Sequence, residues 1–363
     1  MTPIKTSLLL LFILIIQAQS SNAQSNPEKA HAKAKEAIRL EDEQGKFDEA
    51  IVLFNEAREL DPGNIDYPYE LAYAYSGKKD YRKASDILEE LLDHKNVYGR
   101  VYQALGNAYD YQGKPEKALK AYETGIKKFP NSGELYLELG NMSLVKKDYG
   151  KALEQYERGI EADPRFPSNY YWASKIYCSS EEEVWGMIYG EIFMNLERNS
   201  KRTAEISKML FETYKNEIKF TSDTSFGVSF SKGSTININN LNSKNIKMPF
   251  GTGVYEMILA TAVIGEKIID INSLDRIRTR FIESYFKGDN STKYPNVLFD
   301  FLHQVKDAGH LEAYNHWITI KGDDEGFKTW YAENKSKWDN FIAWFGPNPL
   351  KVDMSHRFYR AQY

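Results

Sequence analysis

Ala50, Ala84, Ala118 and Ala152 recur at an interval of 34 residues each time. Four residues after each stands a large apolar or aromatic side chain: Phe54, Leu88, Tyr122 and Tyr156. Three residues before each stand Phe47, Tyr81, Pro115 and Tyr149. A period of this length marks one small structural unit stacked on copies of itself. The spacing predicts a pair of antiparallel helices per unit. The alanine leaves room where the two helices cross, and the large residue fills the gap to the next unit. Pro62, Pro130 and Pro164 close three of the units, because proline cannot continue the helical hydrogen-bond ladder. Asn96 takes that place in the second unit. The turn inside each pair carries Gly45, Gly113 or the run Lys146-Lys147-Asp148.

These residues resemble the tetratricopeptide repeat family. The frames run 31–64, 65–98, 99–132 and 133–166. Tyr102 and Tyr136 meet the family's aromatic at the fourth place, and Leu71, Leu105 and Leu139 its leucine at the seventh. Ala72, Gly106 and Gly140 supply the small residue at the eighth, and Tyr75 and Tyr109 the tyrosine at the eleventh. The first unit departs in its first helix, with Ala34, Ala37, Ile38 and Glu41. A terminal unit lacks a neighbour on one side and is freer to differ. A degenerate fifth unit spans 167–198, with Tyr170, Ala173, Ser174 and Tyr177 in its first helix. Gly186 and Gly190 replace the expected alanine and aromatic in its second. The resemblance implies a mainly α fold over 27–198, a right-handed superhelix of helix pairs. Ser200 reads as the cap of a helix over 199–219 that seals the end of the stack.

The pattern changes after Lys219. Phe226, Val228 and Phe230 alternate with small residues, and Ile236 and Ile238 follow beyond Lys232-Gly233, which predicts a β-hairpin. A polar loop is expected over 239–247. Helical spacing returns from Thr252, read as a cap after Gly251. Ser273 is read as the cap of a second helix, and further helices are expected over 297–308, 310–320 and 325–345. Residues 220–363 are therefore read as a small, mostly helical C-terminal domain with one hairpin, or a long non-repeating cap. The repeat resemblance does not extend to it.

The N-terminus has its own grammar. Lys5, the apolar run from Ser7 to Ile16 and the small residues of Ser21-Asn22-Ala23 read as a secretory signal cut after Ala23. Export to the periplasm or the exterior is the expectation, with no integral membrane anchor after cleavage. The lone cysteine, Cys178, has no partner for an internal disulfide. The net charge of −4 and the lack of a basic cluster disfavour nucleic acid as a partner.

The resemblance also implies where a partner would dock. In the family the first helix of each pair lines a concave wall, and fixed places along it make contacts. In this sequence those places hold Lys35 and Arg39; Tyr69 and Tyr73; Arg100, Gln103, Asn107 and Tyr111; Leu137 and Asn141; Tyr171 and Lys175. Tyrosine offers rigid contact area, and amides can pair with a ligand backbone. The lysine, arginine and asparagine set with which some members hold a C-terminal carboxylate is not reproduced.

No catalytic, metal or cofactor constellation competes with that face. His303, His310 and His316 lie seven and six residues apart, which is not zinc-ligand spacing on a helix. Trp330, Trp338 and Trp344, with Phe327, Tyr331, Phe341 and Phe345, share one helical face, as a packed core needs. The expectation is a non-enzymatic scaffold or adaptor of the cell envelope that binds a protein or peptide. The alternatives are a C-terminal enzyme or carbohydrate-binding module presented by the repeats, or a structural spacer.

Overall fold

The computed structural model describes residues 25–222, 225–232 and 248–363. The expected export signal, the strand around Ile236 and Ile238 and the loop over 239–247 lie outside these residues. The described residues form two compact units, one ending at Lys128 and the other running from Phe129 to Tyr363.

The first unit is three helix pairs: α1 (Asn26–Gln44) with α2 (Phe47–Leu60), α3 (Asp66–Gly77) with α4 (Tyr81–Leu91), and α5 (Gly99–Tyr111) with α6 (Pro115–Lys128). Ser25 caps α1 reciprocally with Glu28, satisfying two backbone donors that the helix leaves open. The repeating alanines Ala50, Ala84 and Ala118 have no solvent exposure. Gly106 goes further, since a Cβ there would collide with the Tyr122 ring. The turn inside each pair needs a left-handed residue. Gly45 and Gly113 adopt φ of 62° and 71°, and Lys79 takes the same place at 64°. The lysine accepts a conformation that costs an L-residue roughly 1 kcal/mol.

The second unit opens with two more pairs, α7 (Gly133–Val145) with α8 (Tyr149–Ala162) and α9 (Pro167–Tyr177) with α10 (Glu183–Leu196). The degenerate fifth pair is tighter than the others. A Cβ on Gly186 would strike the Cys178 sulfur and backbone, and one on Gly190 would strike the Ser174 hydroxyl. Glycine here lets the two helices approach closely, the office alanine fills elsewhere. Ser200 caps α11 (Lys201–Glu217), accepting from the Thr203 amide at 3.0 Å.

Beyond α11 the structure corrects several expectations. A hairpin is present: β1 (Ile218–Ser222) pairs antiparallel with β2 (Ser225–Val228), Phe220 opposite Phe226, while the expected partner strand around Ile236 and Ile238 lies outside the described residues. Its first strand is the chain immediately after α11, where a helix end had been expected. Thr252 is no cap, because Phe250 already has helical angles and Gly251–Tyr255 form a π-helical turn leading into α12 (Glu256–Val263). Asp270, not Ser273, caps α13 (Ile271–Lys287), and Ser273 is its reciprocal partner at the third helical position. Then follow α14 (Asn290–Lys293), α15 (Val297–Asp307), α16 (Leu311–Thr319) and α17 (Asp324–Phe345), the last kinked at Asn334.

No break separates these helices from the last two repeats. One hydrophobic core runs from Ala152 and Tyr156 through Trp185, Phe193 and Leu210 to Phe281, Tyr314, Phe341 and Phe358. Nearly every side chain of α10 is buried, so it has the composition of a central helix. The chain after α17 returns to the repeats. The Arg360 guanidinium meets Glu157 of α8 at 3.1 Å, and Phe358 is buried beside Tyr189.

Candidate functional site

In the first unit, the first helices of the three pairs enclose a cleft of about 600 Å³. Lys35 and Ile38 come from α1, Tyr69 and Glu70 from α3, and Arg100 from the first turn of α5. Lys35 and Tyr69 hold the same fifth place of the 34-residue frame, Arg100 the second, and Ile38 and Glu70 the eighth and sixth.

Aromatic rings make the floor. Tyr69 is only 5% exposed, and its ring lies 5.6 Å from that of Tyr98. The Arg100 guanidinium sits 5.5 Å above the Tyr69 ring, an attraction between cation and π-face. The Tyr98 hydroxyl donates to Asp66 at 3.2 Å. Burial raises the Glu70 carboxyl above the usual carboxylate range, and Arg100 opposes that rise. Lys35 and Arg100 are exposed and make no ion pair or hydrogen bond among the described residues. The cleft thus offers two available cations, a half-buried carboxyl and an aromatic floor. That set can hold an extended polar segment by charge and ring contact.

The remaining places on the same face are used differently. Tyr73 and Tyr111 stand 57% and 68% exposed, and Tyr111 stacks on Tyr81 at 4.8 Å. Asn107 accepts the Tyr122 hydroxyl at 2.5 Å, so its carbonyl side is spent within the unit. Gln103 is half-buried. Arg39 lies on α1, paired with Glu36 and Glu43.

In the second unit the equivalent residues are occupied by the chain itself. Asn141 accepts the Tyr156 hydroxyl at 2.9 Å and donates to Glu138 at 3.0 Å. Leu137 packs against the core. Tyr171 donates to Glu205 of α11, and Lys175 pairs with the same carboxylate at 2.6 Å. Arg202 of α11 lies 5.1 Å from the Tyr171 ring centre. Helix α11 therefore covers the polar ends of Tyr171 and Lys175.

The other singled-out residues are dispersed. His303 faces Asp307, His310 packs on Trp344, and His316 lies 4.0 Å from Trp330 in a stack. Among the described residues no group of three or more His, Cys, Asp or Glu is placed to hold a metal. Trp330, Phe341 and Phe345 are buried, while Trp338 and Trp344 pack half-buried against them. Burial pushes the Cys178 thiol up to about 12. Among the described residues no helix is long and apolar enough to cross a membrane.

Sequence reasoning missed two things. Glu70, Tyr98 and Ile38 line the cleft but sit off the contact places assigned to the face. Glu70 directly follows Tyr69, and that adjacency was the available signal. The second is a buried pair, Glu191 of α10 with Arg278 of α13 at 2.5 Å, held also by Tyr214 and Asn315. The partners lie 87 residues apart, and no local spacing announces them. Beside them is a void of about 20 Å³, the size of one water.

Two family profiles described as tetratricopeptide repeat match this chain, over residues 43–108 and 104–166. Tetratricopeptide repeat protein 28 of Mus musculus is 37% identical over 93 residues, 25% of this chain and 4% of that protein. Small glutamine-rich tetratricopeptide repeat-containing protein 2 of Saccharomyces cerevisiae is 38% identical over 77 residues, 21% of this chain and 22% of that protein. The chain thus spans only a minor part of these relatives' length. A thermophilic tetratricopeptide repeat protein of Thermus thermophilus aligns with 50% of this chain and 98% of its own, at 16% identity and a TM-score of 0.42.

Proposed function

Residues 43–166 are tetratricopeptide repeats, a protein-binding architecture, and from that premise we propose that this protein is a scaffold that holds a protein or peptide partner in the cleft of its first unit. The observation that carries the reading is that Lys35 and Arg100 line one cleft, Arg100 over the Tyr69 ring, with neither cation in an ion pair among the described residues. Binding needs no chemistry there. An extended segment gains charge-assisted hydrogen bonds to the two cations, with Arg100 held in place over the buried Tyr69 ring. The further exposed rings of Tyr73 and Tyr111 prolong the surface along the same helices. The inner face of the fifth repeat is closed to a partner, because Glu205 and Arg202 already cover it.

The N-terminal pattern through Ala23 supports a working place in the cell envelope. Full-length protein is expressed with a C-terminal tag, and the envelope fraction is captured on it. We expect the recovered chain to begin at Gln24. A Lys35→Glu/Arg100→Glu double variant should recover the bound partner at about tenfold lower yield, the effect of losing on the order of 1.4 kcal/mol. A Lys351→Glu variant, altered on an exposed residue of the other unit, should recover it normally. Equal yield from all three would overturn the cleft assignment.

A further inference from the structure

The eleventh place of the frame holds tyrosine in the second and third units, Tyr75 and Tyr109, but glutamate in the first. That residue, Glu41, sits in the last turn of α1 and is 6% exposed. Its Oε1 has no hydrogen-bond partner. A buried carboxylate without a partner is costly, whereas a buried carboxylic acid is tolerated far better.

The groups around it do not neutralise it. Of the charges acting on it, Glu70 of α3, which lines the cleft, is the stronger and Asp42, the next residue on α1, the weaker, and both are negative. Glu70 in turn lies in the fields of Asp66, Asp42 and Arg100. The cations where α1 packs on α2 are engaged elsewhere: Lys33 of α1 with Glu56, and Lys46 with Glu49. The helix end adds to the problem, because the C-terminus of α1 carries the negative pole of its dipole.

We propose that Glu41 is a pH-sensitive latch on the binding cleft: protonated, it seats α1 against α3, and ionised, it loosens α1 and with it the wall that carries Lys35 and Ile38. This rests on the reading of the cleft as the binding site, and it adds a mode of regulation to that reading. The direction follows from linkage. Burial, with Glu70 and Asp42 behind it, raises the Glu41 carboxyl to about 7 in the folded chain. The unfolded chain gives up that proton near the ordinary carboxylate value of about 4.3. Stability contributed at this site is complete below the lower value. It falls as pH rises between the two and is constant above the upper one. Acid tightens the cleft wall and alkali slackens it.

The test needs no ligand. Amide hydrogen exchange of residues 26–44 in the full chain is measured from pH 5 to pH 8, with intrinsic exchange rates divided out. We expect protection of α1 to fall by about tenfold or more across that range in the wild type. Glu41→Gln keeps the shape and removes this group's titration, so its protection should change severalfold less than the wild type's, with only the Glu70 carboxyl left to titrate on that wall. Glu41→Tyr, which installs the residue of the second and third units, serves if the glutamine variant folds poorly. A flat wild-type profile, or variants that titrate as the wild type does, would overturn the latch. That result would leave the cleft proposal standing, because partner capture is read separately by the Lys35→Glu/Arg100→Glu variant.

Discussion

Single residues in this chain are specified by how closely their helices approach. Cys178 shows the effect. Gly186 has no side chain, so α10 comes down onto the Cys178 sulfur, and burial lifts the thiol to about 12. Only the thiolate is a competent nucleophile, so the native thiol is inert. Alkylation by iodoacetamide at pH 8 should be on the order of a hundredfold slower in the folded protein than in the same protein in urea. Equal rates would show that the fifth pair opens readily. The repeat frame made the alanines and the aromatics at fixed places legible, because each is a local demand renewed every 34 residues. It did not reveal that Asn107 and Asn141 would be spent on Tyr122 and Tyr156. An amide on a predicted contact face reads the same whether it meets a ligand or a neighbouring tyrosine. Glu191 and Arg278 were illegible for a different reason. Their pairing depends on how α10 and α13 pack, which local spacing does not encode.

At the level of elements, helix ends decided most of the differences between sequence and structure. Serine, threonine and aspartate all cap helices, so a cluster of them fixes the start only to within a few residues. In α13 the cap is Asp270, which accepts the Ser273 amide at 2.7 Å, while its own amide donates to the Ser273 hydroxyl at 2.9 Å. Asp270→Ala should therefore destabilise the protein by about 1 kcal/mol in denaturant unfolding. Ser273→Ala should cost less, since it removes the return bond and leaves the main cap acceptor. The reverse order would reinstate Ser273 as the cap. The strand on the near side of the hairpin was missed for a related reason. Alternation in Phe226, Val228 and Phe230 marks a strand, but it does not say which flank supplies the partner. Among the described residues the chain just before it, Ile218–Ser222, supplies one.

For the molecule as a whole, the sequence showed a change of pattern near residue 220, and the structure shows no change of core there. The last two repeats and everything after them are packed as one body. The segment after α17 makes this plain. Phe358 is 1% exposed and contacts the Trp185 and Tyr189 rings of α10, while Arg360 ties down to Glu157 of α8. Phe358→Ala should lower the stability of this unit by about 3–5 kcal/mol, as other buried aromatic truncations do. Circular dichroism in denaturant would read it. A loss below about 1 kcal/mol would mean that the tail only rests on the surface.

The same tail sets an order of events during synthesis. Everything the first unit buries has left the ribosome once Lys128 and a short stretch behind it are out, so its helix pairs can settle while translation continues. The second unit has no such liberty. Trp185 and Tyr189 emerge about 170 residues before the phenylalanine that covers them. Until that late arrival, one side of these rings stays uncovered, and whatever shelters growing chains must shelter that patch until Phe358 is out.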